Sequence, residues 1–176
     1  MRAPSISLVI GGAASGKSDW AEGFAHGSGM AKVYIATAEA GDDEMAVKIA
    51  VHRRKRMGRG WRTVEAPLDL PHVLSQIDVE EIAVIDCATF WLANTRASGR
   101  PWRDAISELV GVMQQCPAPL VMVTNELGQG IVPAEPEARA FRNAHGEMNQ
   151  KLAEAADLAV FVTAGLPQIL KGKLPW

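Results

Sequence analysis

Eight consecutive residues, Gly11-Gly12-Ala13-Ala14-Ser15-Gly16-Lys17-Ser18, fit the spacing glycine, four residues, glycine, lysine, serine or threonine. Such a stretch cradles a nucleoside triphosphate. The glycines let backbone N–H groups turn onto phosphate oxygens, Lys17 reaches the outer phosphates, and the Ser18 hydroxyl ligates magnesium. To work, the loop must join a strand to a helix. Pro4–Ile10 has the apolar character of a short buried strand, and Asp19–Ala25 supplies the helix, whose N-terminus adds partial positive charge. The plain alternative is a glycine-rich turn without chemistry. Lysine and serine at the helix start argue against it.

A carboxylate to complete a magnesium site is expected at the end of another strand. Asp86 closes the apolar run Ile82-Ala83-Val84-Ile85, and parallel sheets bind ligands at the C-terminal ends of their strands. Asp86 is thus the partner of Ser18 for metal; the alternative is a residue capping the next turn, a place that Thr89 and Asn94 would also suit. The stretch Val123 to Pro133, rich in glycine and containing Asn125 and Glu126, follows the strand at Leu120 and is a third site candidate. It lacks the Asn-Lys-x-Asp run by which switch GTPases hold guanine.

The segment Asp42 to Arg56 opens with acidic residues and closes with Arg53-Arg54-Lys55-Arg56, the order a helix dipole favours. His52 falls on the stripe of Met45 and Ile49. Four adjacent cations repel one another unless an anion lies near, and the phosphate loop promises one. A solvated basic helix end explains the same residues equally well. The other histidines have structural explanations: His26 closes the helix after the loop, His72 follows Pro71 at a helix start, and His145 shares a stripe with Phe141 and Met148.

The rest of the chain supplies a frame for these groups. Lys32–Ala36, Ile82–Asp86, Leu120–Thr124 and Leu158–Thr163 are strand-like, and Asp43–Lys55, Leu68–Gln76, Trp102–Gln115 and Pro136–Ala156 are helix-like. This alternation predicts a largely parallel sheet covered by helices. The 176 residues suffice for a full core and show no linker, so one catalytic domain over 1–176 is expected. A net charge of −2 gives no basic excess for nucleic acid and points to a small-molecule substrate. Cys87 and Cys116 make no disulfide framework, which suits a reducing compartment. Without a signal-peptide pattern or a run near the roughly 20 apolar residues of a membrane span, a cytoplasmic protein without membrane insertion is expected. Phe90, Trp91, Trp102 and Trp176 lie outside the clearest strands and are candidates for a subunit interface.

An ordered set of segments resembles one family. The set comprises the phosphate loop, Tyr34-Ile35-Ala36-Thr37-Ala38, Asp42-Asp43-Glu44-Met45, His52-Arg53, Trp61-Arg62-Thr63-Val64-Glu65, Asp86-Cys87, Val123-Thr124-Asn125-Glu126 and Gly130-Ile131-Val132-Pro133. The family is the bifunctional adenosylcobinamide kinase / adenosylcobinamide-phosphate guanylyltransferase of cobalamin biosynthesis, and the resemblance runs on through Phe141-Arg142 and Met148-Asn149-Gln150. It implies a RecA-like phosphate-loop fold with helices on both faces of the sheet, a homotrimer, and two reactions. A triphosphate, ATP or GTP, phosphorylates adenosylcobinamide on its aminopropanol hydroxyl; then a histidine matching His52 takes GMP from GTP and passes it to adenosylcobinamide phosphate. By the same matching, Gly11 to Ser18, Ala36, Thr37, Ala38, Arg53, Arg54, Lys55, Arg56, Glu65 and Asp86 contact nucleotide, with magnesium at Ser18 and Asp86. The chain departs from the family pattern in a longer basic segment without proline after His52, and in Ala14 where arginine is common. Two other readings differ in class: a kinase for another small alcohol with His52 structural, and a regulatory protein that binds nucleotide without turnover.

Overall fold

The computed structural model describes residues 4–39, 50, 51, 54 and 56–175. The apolar runs become the strands of one sheet: β1 (Ile6–Gly11), β2 (Ala31–Ala36), β3 (Trp61–Glu65), β4 (Glu81–Asp86), β5 (Leu120–Asn125), β6 (Leu158–Thr163) and β7 (Leu166–Lys171). Their order is β3-β2-β4-β5-β1-β6-β7, and every pairing is parallel except the antiparallel β6–β7 hairpin. The helices whose bounds lie among the described residues are α1 (Lys17–Gly27), α2 (Leu70–Leu74), α3 (Ala88–Ala97), α4 (Trp102–Gln115) and α5 (Pro136–Ala155).

Strands buried on both faces need cover on both, and period-two alternation divides them between two cores. Leu8, Ile35, Ile85, Leu120 and Met122 point to one side, against Leu70, Trp91, Leu109, Met148 and Leu152 of α2 to α5. Val9, Tyr34, Val84, Val121 and Val160 point to the other, against Ala21, Phe24 and Ala25 of α1. Each fully buried Leu or Ile contributes about 1.5–3 kcal/mol relative to an exposed one. The expected helices on both faces are therefore present.

Most expected elements stand within two residues of their observed bounds; Leu68–Gln76 shrinks to Leu70–Leu74. Three elements were not expected. β3 is an edge strand with three of its five residues exposed, so its sequence lacks a buried run. β7 is exposed throughout and exists because Ala164 (φ 52°) and Gly165 (φ 77°) form a two-residue turn of the primed kind that folds it back on β6. α3 begins directly after Asp86 and Cys87 and so hid in the same segment as the strand. The helix expected over Asp43–Lys55 lies mostly outside the described residues; Ala50, Val51, Arg54 and Arg56 are helical.

Trp91 is a correction to the interface reading. It is 0% exposed, with Nε1 donating to the Leu68 carbonyl at 3.2 Å, while Phe90 and Trp102 pack partly buried against the two cores. An aromatic on a helix face is as readily core as surface. Trp176 lies outside the described residues. Apolar surface is found instead at Leu166, Ile169 and Leu170 of β7 and at Ile131 and Val132.

Candidate active site

Register places the candidates along one edge of the sheet. Ala36 stands opposite Glu65 on one side and Asp86 on the other, Asp86 opposite Val123, and Gly11 opposite Asn125. The C-terminal ends of β3, β2, β4, β5 and β1 thus line up in that order, and one strand, β5, separates the phosphate loop from Asp86. The sheet edge is the ligand side of such folds.

The loop itself is tight. A Cβ on Gly11 would lie 2.4 Å from Ser15 Oγ and 2.6 Å from the Val162 carbonyl oxygen, so no side chain fits there. Gly16 takes φ 90° at the entry to α1, a left-handed conformation that glycine adopts without strain. Lys17 Nζ donates to the Gly12 carbonyl at 3.1 Å, folded back over the loop. Ser15 Oγ is buried with no hydrogen-bond partner among the described residues. A buried hydroxyl without a partner is costly, and a phosphate oxygen in the loop would satisfy it. The β6–β7 turn supports the loop from behind through Gly165 N donating to the Ser15 carbonyl at 2.8 Å. That buttress comes from the far end of the chain, and no local pattern announces it.

Asp86 does not cap the following helix; its Oδ2 accepts a hydrogen bond from the Tyr34 hydroxyl at 2.9 Å. Burial and the neighbouring carboxylate hold the Tyr34 phenol far above its usual range, with Arg56 opposing. Tyr34 is therefore a fixed donor to Asp86. Cys87, pushed up to about 11 by burial and by Asp86, stays a thiol. Thr37 is fully buried: its hydroxyl donates to the Cys87 carbonyl at 2.6 Å and accepts from the Cys87 amide at 2.7 Å. The side chain joins the ends of β2 and β4, and the Thr37 amide adds a hydrogen bond to the Asp86 carbonyl at 3.2 Å. Asn94 adds to this knot by donating to the carbonyls of Thr37 and Pro67, at 2.9 and 3.1 Å.

Of the basic segment, Arg54 is exposed, whereas Arg56 is 5% exposed and lies between Tyr34 and Glu22. His52, Arg53 and Lys55 lie outside the described residues. Ala36 and Ala38 are half-buried, Glu65 is exposed at the end of β3, and Ala13 and Ala14 are exposed at the loop tip.

The strand end at Asn125 and Glu126 abuts the phosphate loop, since Glu126 N donates to the Gly11 carbonyl at 3.0 Å. It is held by a network that the sequence does not reveal. Thr89 Oγ1 accepts from Asn125 N at 3.0 Å and shares a hydrogen bond of 2.9 Å with His145 Nε2. Thr124 donates to Asn149 Oδ1 at 2.8 Å, and Asn149 Nδ2 donates to the Asn125 carbonyl at 3.0 Å. His145 is 1% exposed, and burial lowers its pKa to about 4 against the weaker pull of Glu126. The helical stripe with Phe141 and Met148 showed a packed histidine; its polar partners come from α3 and β5. His26 and His72 are exposed, the latter with Gln76 Nε2 at 3.0 Å from its Nε2.

A titration prediction follows from His145. Its folded pKa lies below the ordinary 6.5, so only the unfolded chain takes up a proton as pH falls from about 6.5 to about 4. The stability held at neutral pH is lost across that window, on the order of 3 kcal/mol from this residue. Urea unfolding at pH 7.5, 6 and 5 will show His145→Gln less stable at neutral pH and less steeply destabilised by acid. Parallel pH profiles for the two proteins would remove His145 as the source.

A model of the family described as cobinamide kinase / cobinamide phosphate guanyltransferase matches residues 7–170. The chain belongs to that family. Among relatives of this cobinamide kinase / guanyltransferase family, the chain is 41% identical over 172 residues to the bifunctional adenosylcobalamin biosynthesis protein CobP of Pseudomonas aeruginosa, covering 94% of this chain and 97% of that one. It is 38% identical over 175 residues to the bifunctional adenosylcobalamin biosynthesis protein CobU of Escherichia coli, covering 90% and 96%. The family fold is also that of RadB recombinase (TM-score 0.55, 17% identity, 90% of this chain and 74% of that one) and of the flagellar accessory protein FlaH of Methanocaldococcus jannaschii (TM-score 0.55, 13% identity, 97% and 80%). This is the RecA-like phosphate-loop fold, and the family member described here is an enzyme of it. Among the described residues no helix is long and apolar enough to cross a membrane.

Proposed function

We propose that this enzyme phosphorylates adenosylcobinamide on its aminopropanol hydroxyl and then guanylylates the product through His52. The observation that supports the reading best is the row of strand ends that sets the phosphate loop, Asp86 and Glu65 on one edge of the sheet. In the kinase step, loop amides and Lys17 hold the triphosphate in line with the substrate hydroxyl, which gains the γ-phosphoryl group and loses its proton as the nucleoside diphosphate leaves. In the second step, a His52 ring nitrogen forms a bond to the α-phosphorus of GTP while the bridge to the β-phosphate breaks. Pyrophosphate leaves and the ring gives up its N–H proton. A phosphate oxygen of adenosylcobinamide phosphate then displaces the histidine, which takes a proton back. Arg53, Arg54 and Lys55 stabilise the charge that develops on the α-phosphate.

Ser18 and Asp86 are hard oxygen donors that suit magnesium, and among the described residues no cluster of three or more acidic, His or Cys side chains forms a complete cage. Those two residues would hold the ion together with the phosphates of the nucleotide. Bound there, it would neutralise charge on the phosphate oxygens.

The test is incubation of the purified protein with magnesium and GTP labelled at the α-phosphate, followed by denaturation. Label retained on the protein supports the covalent step; its absence leaves the kinase alone. We further propose a homotrimer, for which the exposed apolar side chains of β7 offer contact surface. Light scattering showing three times the chain mass of 18.9 kDa is expected, and a monomer at micromolar concentration would count against it.

A further inference from the structure

Arg56 is the one ionised side chain among the described residues that is buried; the other buried polar groups are hydroxyls and neutral His145. Removing a guanidinium from water costs several kcal/mol unless partners replace the hydration. Arg56 has two. Its Nη1 lies 3.3 Å from Glu22 Oε1, and its guanidinium carbon lies 3.4 Å from the centre of the Tyr34 ring, a cation–π contact. Its Nε is buried with no partner among the described residues, so the arrangement is not optimised for stability alone.

The partners stand where the reaction is organised. Glu22 lies four residues beyond Ser18, on the same face of α1. Tyr34 donates to Asp86. A continuous line, Glu22, Arg56, Tyr34, Asp86, thus runs from the triphosphate helix to the strand-end acid. Its second member is four residues beyond His52 in the chain. Four residues extend at most about 14 Å, so fixing Arg56 confines His52 to that radius.

We propose that Arg56 is a positioning residue for guanylyl acceptance, anchoring the segment that carries His52 to α1 and to Tyr34. The proposal rests on the reading that His52 takes the guanylyl group. It gives Arg56 a task different from direct contact with nucleotide: its planar face and one nitrogen are already engaged by the protein. Phosphoryl transfer to the corrinoid arm draws on the loop and Asp86 and depends less on where the His52 segment is held.

Single-turnover labelling with α-labelled GTP, the kinase rate with adenosylcobinamide, and thermal unfolding are measured for the full-length wild type, Arg56→Met, Arg56→Lys and Glu22→Gln. Arg56→Met is expected to slow labelling about a hundredfold, as for a nucleophile displaced by an ångström, and to slow the kinase roughly tenfold less. Arg56→Lys keeps the charge for Glu22 but loses planar stacking and should restore labelling in part. Glu22→Gln keeps the shape, guards against a misfolded Arg56 variant, and should show the same split at smaller size. Labelling and kinase rates that fall in parallel with the unfolding temperature overturn the positioning role. So does an Arg56→Met protein labelled at the wild-type rate beside a labelled wild type. A wild type that never takes label overturns the His52 reading itself, and this proposal with it.

Discussion

Lys17→Ala lowers kcat/KM for triphosphate in both half-reactions by about two to three orders of magnitude, the loss typical when one preorganised electrostatic donor is removed. The ammonium sits inside the loop, 3.1 Å from the Gly12 carbonyl. Both reactions need it, because each moves negative charge on a phosphate chain: toward the leaving diphosphate in one, toward pyrophosphate in the other. Lys17→Arg is not a rescue, since the wider, planar fork does not fit a loop already so tight that Gly11 admits no Cβ. Steady-state assays of both reactions, with unfolding temperature as control, check this. Near-normal kinetics in both would exclude Lys17 from the triphosphate site.

The strand–loop–helix at Gly11 to Ser18 was legible because it is local: eight residues carry their own backbone geometry, and the flanking strand and helix are contiguous. The same holds for Asp86, whose position at a strand end is written in the apolar run before it. What the sequence hid is what needs distant partners. The support of Ser15 by Gly165 joins residues at opposite ends of the chain, and the Thr89, His145, Asn149 cluster becomes a network only when α3, β5 and α5 meet at the strand end. Thr37 shows the same limit from the other side. The resemblance implies nucleotide contact at Thr37; that its hydroxyl closes on Cys87, fifty residues away, is written in no local pattern. The edge strands β3 and β7 escaped for a different reason: exposed on their outer side, they need no continuous apolar run, and register supplies what hydrophobicity does not.

His52→Ala abolishes covalent labelling by α-labelled GTP. The three other histidines cannot replace it. His145 is buried, hydrogen-bonded to Thr89 and lowered to about 4, so it is shielded from any phosphate in the site. His26 closes the last turn of α1, at the far end of that helix from the phosphate loop, and His72 sits in the short α2 beside Gln76. His52 alone precedes a run of four cations and is the nucleophile proposed above. Imidazole is a competent nucleophile near neutral pH, and the bond it forms to phosphorus is a phosphoramidate. The label on wild type should therefore survive alkali, be lost in acid, and map to the peptide that contains His52. Phosphorylation of adenosylcobinamide should fall far less in His52→Ala, because transfer of a γ-phosphoryl group relies on the loop and needs no covalent intermediate. Label persisting on His52→Ala protein would move the nucleophile elsewhere, whereas a wild type that never takes label would leave the kinase alone.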